Sequence, residues 1–140
     1  MKRTSISIVA LLKVLGVVAV ALALAACSPG GDSPQDLVKA FFRDIDNGTY
    51  SNIKSYLDSG ADNYNQVNDD YWTSQFPGNS YEITSLSGSD PVDAEVTEGS
   101  TTGSYRFEFS GSEGNIFNDS DYKIKKITET SGSSDSIIFQ

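Results

Sequence analysis

The residues best placed to do chemistry lie at the end of an apolar run near the start of the chain. The sequence from Leu22 to Cys27 reads Leu-Ala-Leu-Ala-Ala-Cys, and Cys27 is the only cysteine in 140 residues. A thiol becomes a strong nucleophile once it is deprotonated, and the small residues before it are typical of a peptidase cleavage site. Lys2 and Arg3 precede the run, whose 13 uninterrupted apolar residues at 14–26 suit a secretory signal. A membrane-spanning helix needs roughly 20.

The four residues from Leu24 to Cys27 resemble the lipobox of bacterial lipoproteins. In that family the cysteine sulfur receives a diacylglycerol, the chain is cut directly before the cysteine, and the new amino terminus is usually acylated as well. The resemblance implies cleavage between Ala26 and Cys27, and a protein that its lipid holds at the outer face of the cell membrane. Each buried methylene contributes about 0.8 kcal/mol, so two or three acyl chains make a stable anchor.

This interpretation divides the chain into three parts. Residues 1–26 are predicted to be the signal peptide, residues 27–33 the lipidated cysteine and a flexible tether, and residues 34–140 a single domain. Ser28 is not the aspartate that retains lipoproteins in the inner membrane, so a two-membrane cell would carry this protein on its outer membrane. An ordinary secretory signal and an uncleaved membrane helix are the alternatives.

Carboxylates are the next candidates for chemistry, because the chain has no histidine. That absence removes Ser-His-Asp and Cys-His catalysis and the commonest transition-metal ligand. A pair of acids does general acid–base work if one of them has a raised pKa. Glu82, Glu95 and Glu108 alternate with apolar residues, however, and we expect them to face solvent. We therefore predict that the protein is not an enzyme and uses no cofactor.

Two clusters of acids and amides offer the hard oxygen ligands that calcium prefers. They lie at Asp44–Asn47 and at Asn68–Asp70, and neither has the spacing of a known calcium loop. We therefore expect weak calcium binding or none at either cluster.

Three aromatic residues, Tyr71, Trp72 and Phe76, are candidates for a pocket mouth or a partner anchor, because Trp and Tyr are enriched at interfaces. Packing in the core is the simpler interpretation, since Leu, Ile, Val and Phe make up only 22 of the 114 residues after the signal. The three lysines between residues 123 and 126 form the only basic cluster, and we expect them on a solvated strand face or paired with nearby acids.

The charge of the chain limits its partners. The net charge of −9 becomes −12 once the predicted signal, with its three cations and no acid, is removed. So acidic a domain disfavours binding to nucleic acid or to bare anionic lipid. The membrane is therefore expected as a partner through the lipid alone.

The first elements that must position these side chains are helices. Ser33 and Pro34 are a good N-cap and first helical residue, and apolar residues at helical spacing follow as far as Ile45. Asn47 and Gly48 predict the end of this helix. A second helix is predicted at 49–57, and Asn68 is placed to cap a short third one that carries the three aromatic residues.

From Ser80 onward the hydrophobic period changes to two, which predicts strands. Ile127 is out of phase with Tyr122 and Ile124, and we expect a bulge or a strand bend there. Helices followed by consecutive strands with short polar loops indicate an α+β domain with an antiparallel meander. The predicted strands are Tyr81–Leu86, Pro91–Thr97, Ser104–Ser110, Tyr122–Thr128 and Ser136–Gln140.

The opening of the domain, Ser33 to Asp58, resembles small bacterial lipoproteins of unknown function with a nuclear-transport-factor-2-like (cystatin-like) domain. The match is carried by Ser-Pro, an apolar helix, Asn47-Gly48, Tyr50 and a closing Tyr-Leu at 56–57. The resemblance implies helices packed on a curved antiparallel sheet of four to five strands, which together form a cone.

Such cones hold ligands or catalytic groups in some relatives and mediate homodimers in others. We expect a non-enzymatic module that binds an unknown envelope protein or a small ligand outside the cell. The alternatives are a phage- or plasmid-encoded exclusion or conjugation lipoprotein, and a carboxylate-dependent enzyme that uses the cone. The sequence also leaves a homodimer open.

Overall fold

The computed structural model describes residues 33–78, 80–112, 121–131 and 134–140, which form helices followed by a five-stranded antiparallel sheet. The α+β prediction is therefore confirmed. The predicted signal peptide, Ala26 and Cys27 lie outside the described residues, so cleavage and lipidation stay predictions. In the described ranges, no helix combines the length and the apolar character that crossing a membrane requires.

Helix α1, Pro34–Asp46, begins and ends where the sequence predicts. The hydroxyl of Ser33 accepts a hydrogen bond from the backbone N–H of Asp36 at 3.3 Å and donates one to the Asp36 carboxylate at 2.7 Å. Gly48 closes the helix with a φ of +65°, a conformation that glycine adopts without steric cost.

The second predicted helix is shorter than expected: helix α2 covers only Tyr50–Ile53. The helix ends early because the backbone of the residues that follow it pairs with the sheet. The N–H of Ile124 donates to the carbonyl of Tyr56 at 2.7 Å, and the N–H of Asp58 donates to the carbonyl of Ile124 at 2.9 Å. A tertiary pairing has therefore replaced the last turn of the predicted helix.

Helix α3, Asp69–Gln75, is the short helix predicted from its cap. The side-chain oxygen of Asn68 accepts from the backbone N–H of Tyr71 at 2.9 Å. The hydroxyl of Tyr71 donates to the carbonyl of Ile138, and the side-chain amide of Asn63 donates to the same carbonyl at 3.3 Å. The segment that contains α3 thus covers part of the last strand.

The sheet has the order β1-β2-β3-β4-β5, so every strand pairs with its neighbours in sequence. Four of the five predicted strands agree with the structure to within one residue at each end, and the third begins three residues earlier than predicted. The strands are β1 Glu82–Ser87, β2 Val92–Glu98, β3 Thr101–Ser110, β4 Lys123–Glu129 and β5 Ser136–Phe139.

The predicted bulge lies in β4. Phe109 pairs with Ile124 and Glu108 pairs with Lys126, so Lys125 is an extra residue on that strand. The extra residue turns Ile124 and Ile127 to the same face, and both are completely buried. The bulge at Lys125 therefore explains why Ile127 is out of phase with Ile124 in the sequence.

The core lies between the helices and one face of the sheet, and aromatic rings dominate it. The ring of Phe41 on α1 meets four other rings edge-on, with centroids 5.3 to 5.5 Å apart. Edge-to-face contacts of this kind add to the stabilisation from burial alone. The four partners of Phe41 are Phe42, Trp72, Phe76 and Phe107.

Candidate functional site

The three aromatic residues singled out in the sequence do not form a common surface. Trp72 is 1% exposed and Phe76 2% exposed, and both belong to the core. Tyr71 is half-buried and uses its hydroxyl on the backbone of Ile138 in β5. The structure therefore supports core packing for Trp72 and Phe76, and places neither of them at a pocket mouth.

The first acidic cluster is part of a buried hydrogen-bond network. Asp44 is 3% exposed, and its carboxylate accepts from the hydroxyl of Tyr56 at 2.6 Å and from the hydroxyl of Thr49 at 2.8 Å. Arg43 approaches the same carboxylate at 3.5 Å. The carboxylate of Asp46 accepts from the backbone N–H of Tyr81 at 2.8 Å. Both acids therefore bind donors of this chain.

The Asp44 network shifts two pKa values in opposite directions. Burial raises the pKa of Asp44, but the hydrogen bonds from Tyr56 and Thr49 and the charge of Arg43 outweigh it, so the pKa is lowered overall. Burial and the Asp44 carboxylate together raise the pKa of Tyr56 to about 12. A general acid would need a raised carboxyl pKa at neutral pH, and this buried acid has the opposite shift.

The second acidic cluster caps α3 through Asn68, as described above, and Asp69 and Asp70 are exposed in its first turn. In the described part of the chain, no group of three or more Cys, Asp or Glu side chains is arranged to hold a metal ion.

The remaining charged candidates lie where strand alternation places them. Glu82 and Glu95 are exposed, and Glu108 is partly exposed on the outward face of β3. Lys126 pairs with Glu108 at 3.6 Å, and Lys123 donates to the carbonyl of Ser55 at 2.8 Å. These charges are therefore solvated or paired within the chain.

A cavity of about 390 Å³ lies at the end of the β2–β3 hairpin, and we call it the hairpin pocket. Its volume falls in the range of roughly 300–1,000 Å³ that is usual for small-molecule sites. Two tyrosines and two glutamates are its most distinctive members. The pocket is lined by Gln75, Pro77, Tyr81, Val96, Glu98, Thr101, Thr102, Gly103, Tyr105, Glu129 and Ser131.

Both glutamates occupy positions on the core-side face of the sheet. Along β2 the side chains of Val92, Ala94 and Val96 are buried, and Glu98 is the next residue of that series. Glu129 pairs directly with Tyr105 of β3, so the two side chains share a face. The other side chains on this face of the two strands belong to the core. The two glutamates therefore mark the place where the core ends and the pocket begins.

Gly103 shapes the floor of the pocket. A Cβ atom at this position would lie 3.0 to 3.3 Å from three atoms of the Tyr105 side chain, two residues further along the same face. The missing side chain therefore lets the Tyr105 ring lie close to the backbone of β3. The ring also meets two aromatic rings of the core, those of Phe42 and Phe76, with centroids 5.6 and 5.7 Å away.

The two tyrosines differ in how their hydroxyls are held. The Tyr81 hydroxyl accepts from the backbone N–H of Gly78 at 2.8 Å. Burial first, and then the charges of Glu129 and Glu98, raise the pKa of Tyr105 to about 12. Both carboxylates therefore act on the Tyr105 phenol, which stays protonated at neutral pH and keeps its O–H as a donor.

Sequence reasoning missed the hairpin pocket, although a signal for it was present. Continuing the alternation of β2 by one step places Glu98 on the core face, and β4 continues from Ile127 to Glu129 in the same way. Only the register between strands shows that Glu129 lies opposite Tyr105, 24 residues earlier in the sequence, while Glu98 lies opposite Thr101 at the same end of the sheet.

No protein-family model, no curated protein and no solved structure matches this chain.

Proposed function

We propose that the protein is a lipid-anchored, non-enzymatic binding module of the bacterial cell envelope, and that the hairpin pocket is where it binds a small ligand. The lipobox-like segment before Cys27 supports the anchor. The observation that carries the binding function is the hairpin pocket itself, because polar and charged side chains line it on the face of the sheet that elsewhere forms the core.

The same proposal includes the cystatin-like cone implied by the resemblance at Ser33 to Asp58. Its support is the arrangement of α1 against β1, β2 and β4 together with the bulge at Lys125, since bulges bend strands and increase their twist. In such a cone the hairpin pocket would lie where the cavity opens to solvent.

A melting-temperature screen tests the binding function. The full-length chain, purified in a non-ionic detergent, is exposed to the small-molecule fraction of a bacterial envelope extract. A ligand that binds only the folded state raises the melting temperature. We expect a smaller rise for Gly103→Ala than for the native chain, because the added methyl group must push the Tyr105 ring aside by a few tenths of an ångström.

Ser104→Ala is the matched control, since residue 104 lies next to Gly103 on the opposite face of β3. It should show the same rise as the native chain. A rise that is equal in all three proteins would place the ligand elsewhere, and the absence of any rise in the native chain would contradict the binding function.

A further inference from the structure

We propose that the hairpin pocket binds an organic ammonium ion, held between Glu98 and Glu129 and against the ring of Tyr105. This inference names the ligand class for the site and therefore rests on the proposed function. Three features support it, namely the sign of the charge, the aromatic floor and the placement of the acids at two points of the pocket.

The first feature is uncompensated negative charge. Glu98 and Glu129 line the hairpin pocket, and no lysine or arginine is among the described residues around it. Two other cavities, of about 280 and 370 Å³, also contain acids, but each has two basic side chains beside them. The hairpin pocket is therefore the one of these three cavities whose own charges favour a cation and repel an anion.

The second feature is the aromatic floor. Tyr105 is half-buried and lines the hairpin pocket. Tyrosine rings attract cations through the negative face of the π-system, and aromatic residues are the usual partners of quaternary ammonium groups. The two nearby carboxylates strengthen this preference, because a cation near Tyr105 also approaches them.

The third feature is the placement of the two acids. Glu98 belongs to β2 and Glu129 to β4, so they lie on opposite sides of β3, which carries Tyr105 and Gly103. Glu129 pairs with Tyr105, whereas Glu98 pairs with Thr101, four residues nearer the hairpin turn, so their backbones are offset by about 13 Å along the strands as well as about 10 Å across them. The side chain of Glu98 also lies against the backbone of Gly78. The hairpin pocket therefore has one carboxylate beside Tyr105 and a second one nearer the hairpin turn.

A pair of isosteric probes tests the charge requirement. Choline and 3,3-dimethylbutan-1-ol have nearly the same shape, but the first carries a quaternary nitrogen where the second has carbon. By isothermal titration calorimetry on the full-length chain in non-ionic detergent, we expect choline to bind about tenfold or more tightly than the neutral alcohol. The affinity for choline should also fall as salt is added.

Charge-neutralising variants identify the site. Glu98→Gln and Glu129→Gln should each weaken choline binding by about fivefold or more, because each removes one carboxylate while keeping the shape of the side chain. Glu95→Gln is the matched control, since it makes the same change on the outward face of β2. Tyr105→Phe should retain most of the affinity, since it keeps the ring.

Each outcome decides the proposal. Equal affinity for the two probes, or unchanged choline binding in both pocket variants, would overturn the assignment to ammonium ions. Competition by calcium at equal concentration would do the same and would indicate a metal site. If choline fails to bind while the envelope extract still stabilises the native chain more than Gly103→Ala, the ligand class is wrong and the binding function stands.

Discussion

The Asp44 carboxylate shows how a single buried charge is tolerated in so small a core. Burying a charge without partners is costly, and Asp44 has hydrogen bonds from two hydroxyls and an ion-pair contact with Arg43. The network joins α1 to the segment after α2, because Tyr56 reaches back across twelve residues to bind it. Its main role is therefore to fix the position of that segment.

Removing the Asp44 carboxylate should destabilise the fold. In Asp44→Ala the hydroxyl of Tyr56, whose side chain is 1% exposed, loses its acceptor. A buried donor left without a partner costs about 1–3 kcal/mol of unfolding free energy, to be measured by urea denaturation. The exposed control Asp62→Ala should stay within about 0.5 kcal/mol of the native chain. A similarly small effect at Asp44 would contradict the structural role.

The raised pKa of Tyr56 predicts how the unfolding free energy changes at alkaline pH. Its pKa is about 12 in the folded state against 10.0 for a free tyrosine. The folded state therefore binds the Tyr56 proton more tightly than the unfolded state does. The resulting stabilisation is fully present below pH 10 and is lost as the pH rises through 12. The unfolding free energy of Tyr56→Phe should fall less steeply than that of the native chain between these values. Parallel curves would show that the proton of Tyr56 is not linked to folding.

At the scale of elements, local signals in the sequence were enough for most boundaries. The caps at Ser33 and Asn68 have local hydrogen bonds, so their side chains specify where α1 and α3 begin. The end of α2 could not be predicted, because it depends on pairing between residues 56–58 and Ile124, almost seventy residues later. The early start of β3 was missed because Thr101 to Gly103 lack an apolar residue.

The bulge in β4 leads to a prediction about deletions. Without Lys125, Ile124 and Ile127 would be two positions apart and would still share a face of a regular strand. Deleting Lys125 should therefore leave a folded protein, measured by a cooperative thermal transition. Deleting Glu108 from the regular strand β3 would instead send Phe107 and Phe109 to opposite faces. That variant should not fold, and a native-like transition for it would contradict the register.

At the scale of the whole molecule, the sheet serves two purposes along its length. Around Phe107 it is covered by aromatic residues of the helices, whereas at the β2–β3 hairpin its core-side face carries Glu98 and Glu129. The alternation of apolar and polar residues in the sequence predicted the part of the sheet that forms the core. The same alternation did not predict the hairpin pocket, because the pocket depends on residues from three strands and a loop that only the fold brings together.

The anchor is tested separately, by metabolic labelling of the full-length chain with radioactive palmitate. We expect the native chain to incorporate the label and to stay with the membrane fraction, because acylated cysteine holds it there. Cys27→Ser should lose all of the label, and Ser28→Ala is the matched control that should retain it. Label that persists in Cys27→Ser would show that the anchor lies elsewhere.

The most direct test of the central claim, that the hairpin pocket is the ligand site, is a titration followed by two-dimensional nitrogen-15 NMR. The full-length chain in non-ionic detergent is titrated with the small-molecule fraction of an envelope extract. We predict that the amide signals that move belong to residues of the pocket, such as Gly103, Tyr105 and Glu129. Signals that move only at α1 or along β5, or no change in any signal, would contradict the claim.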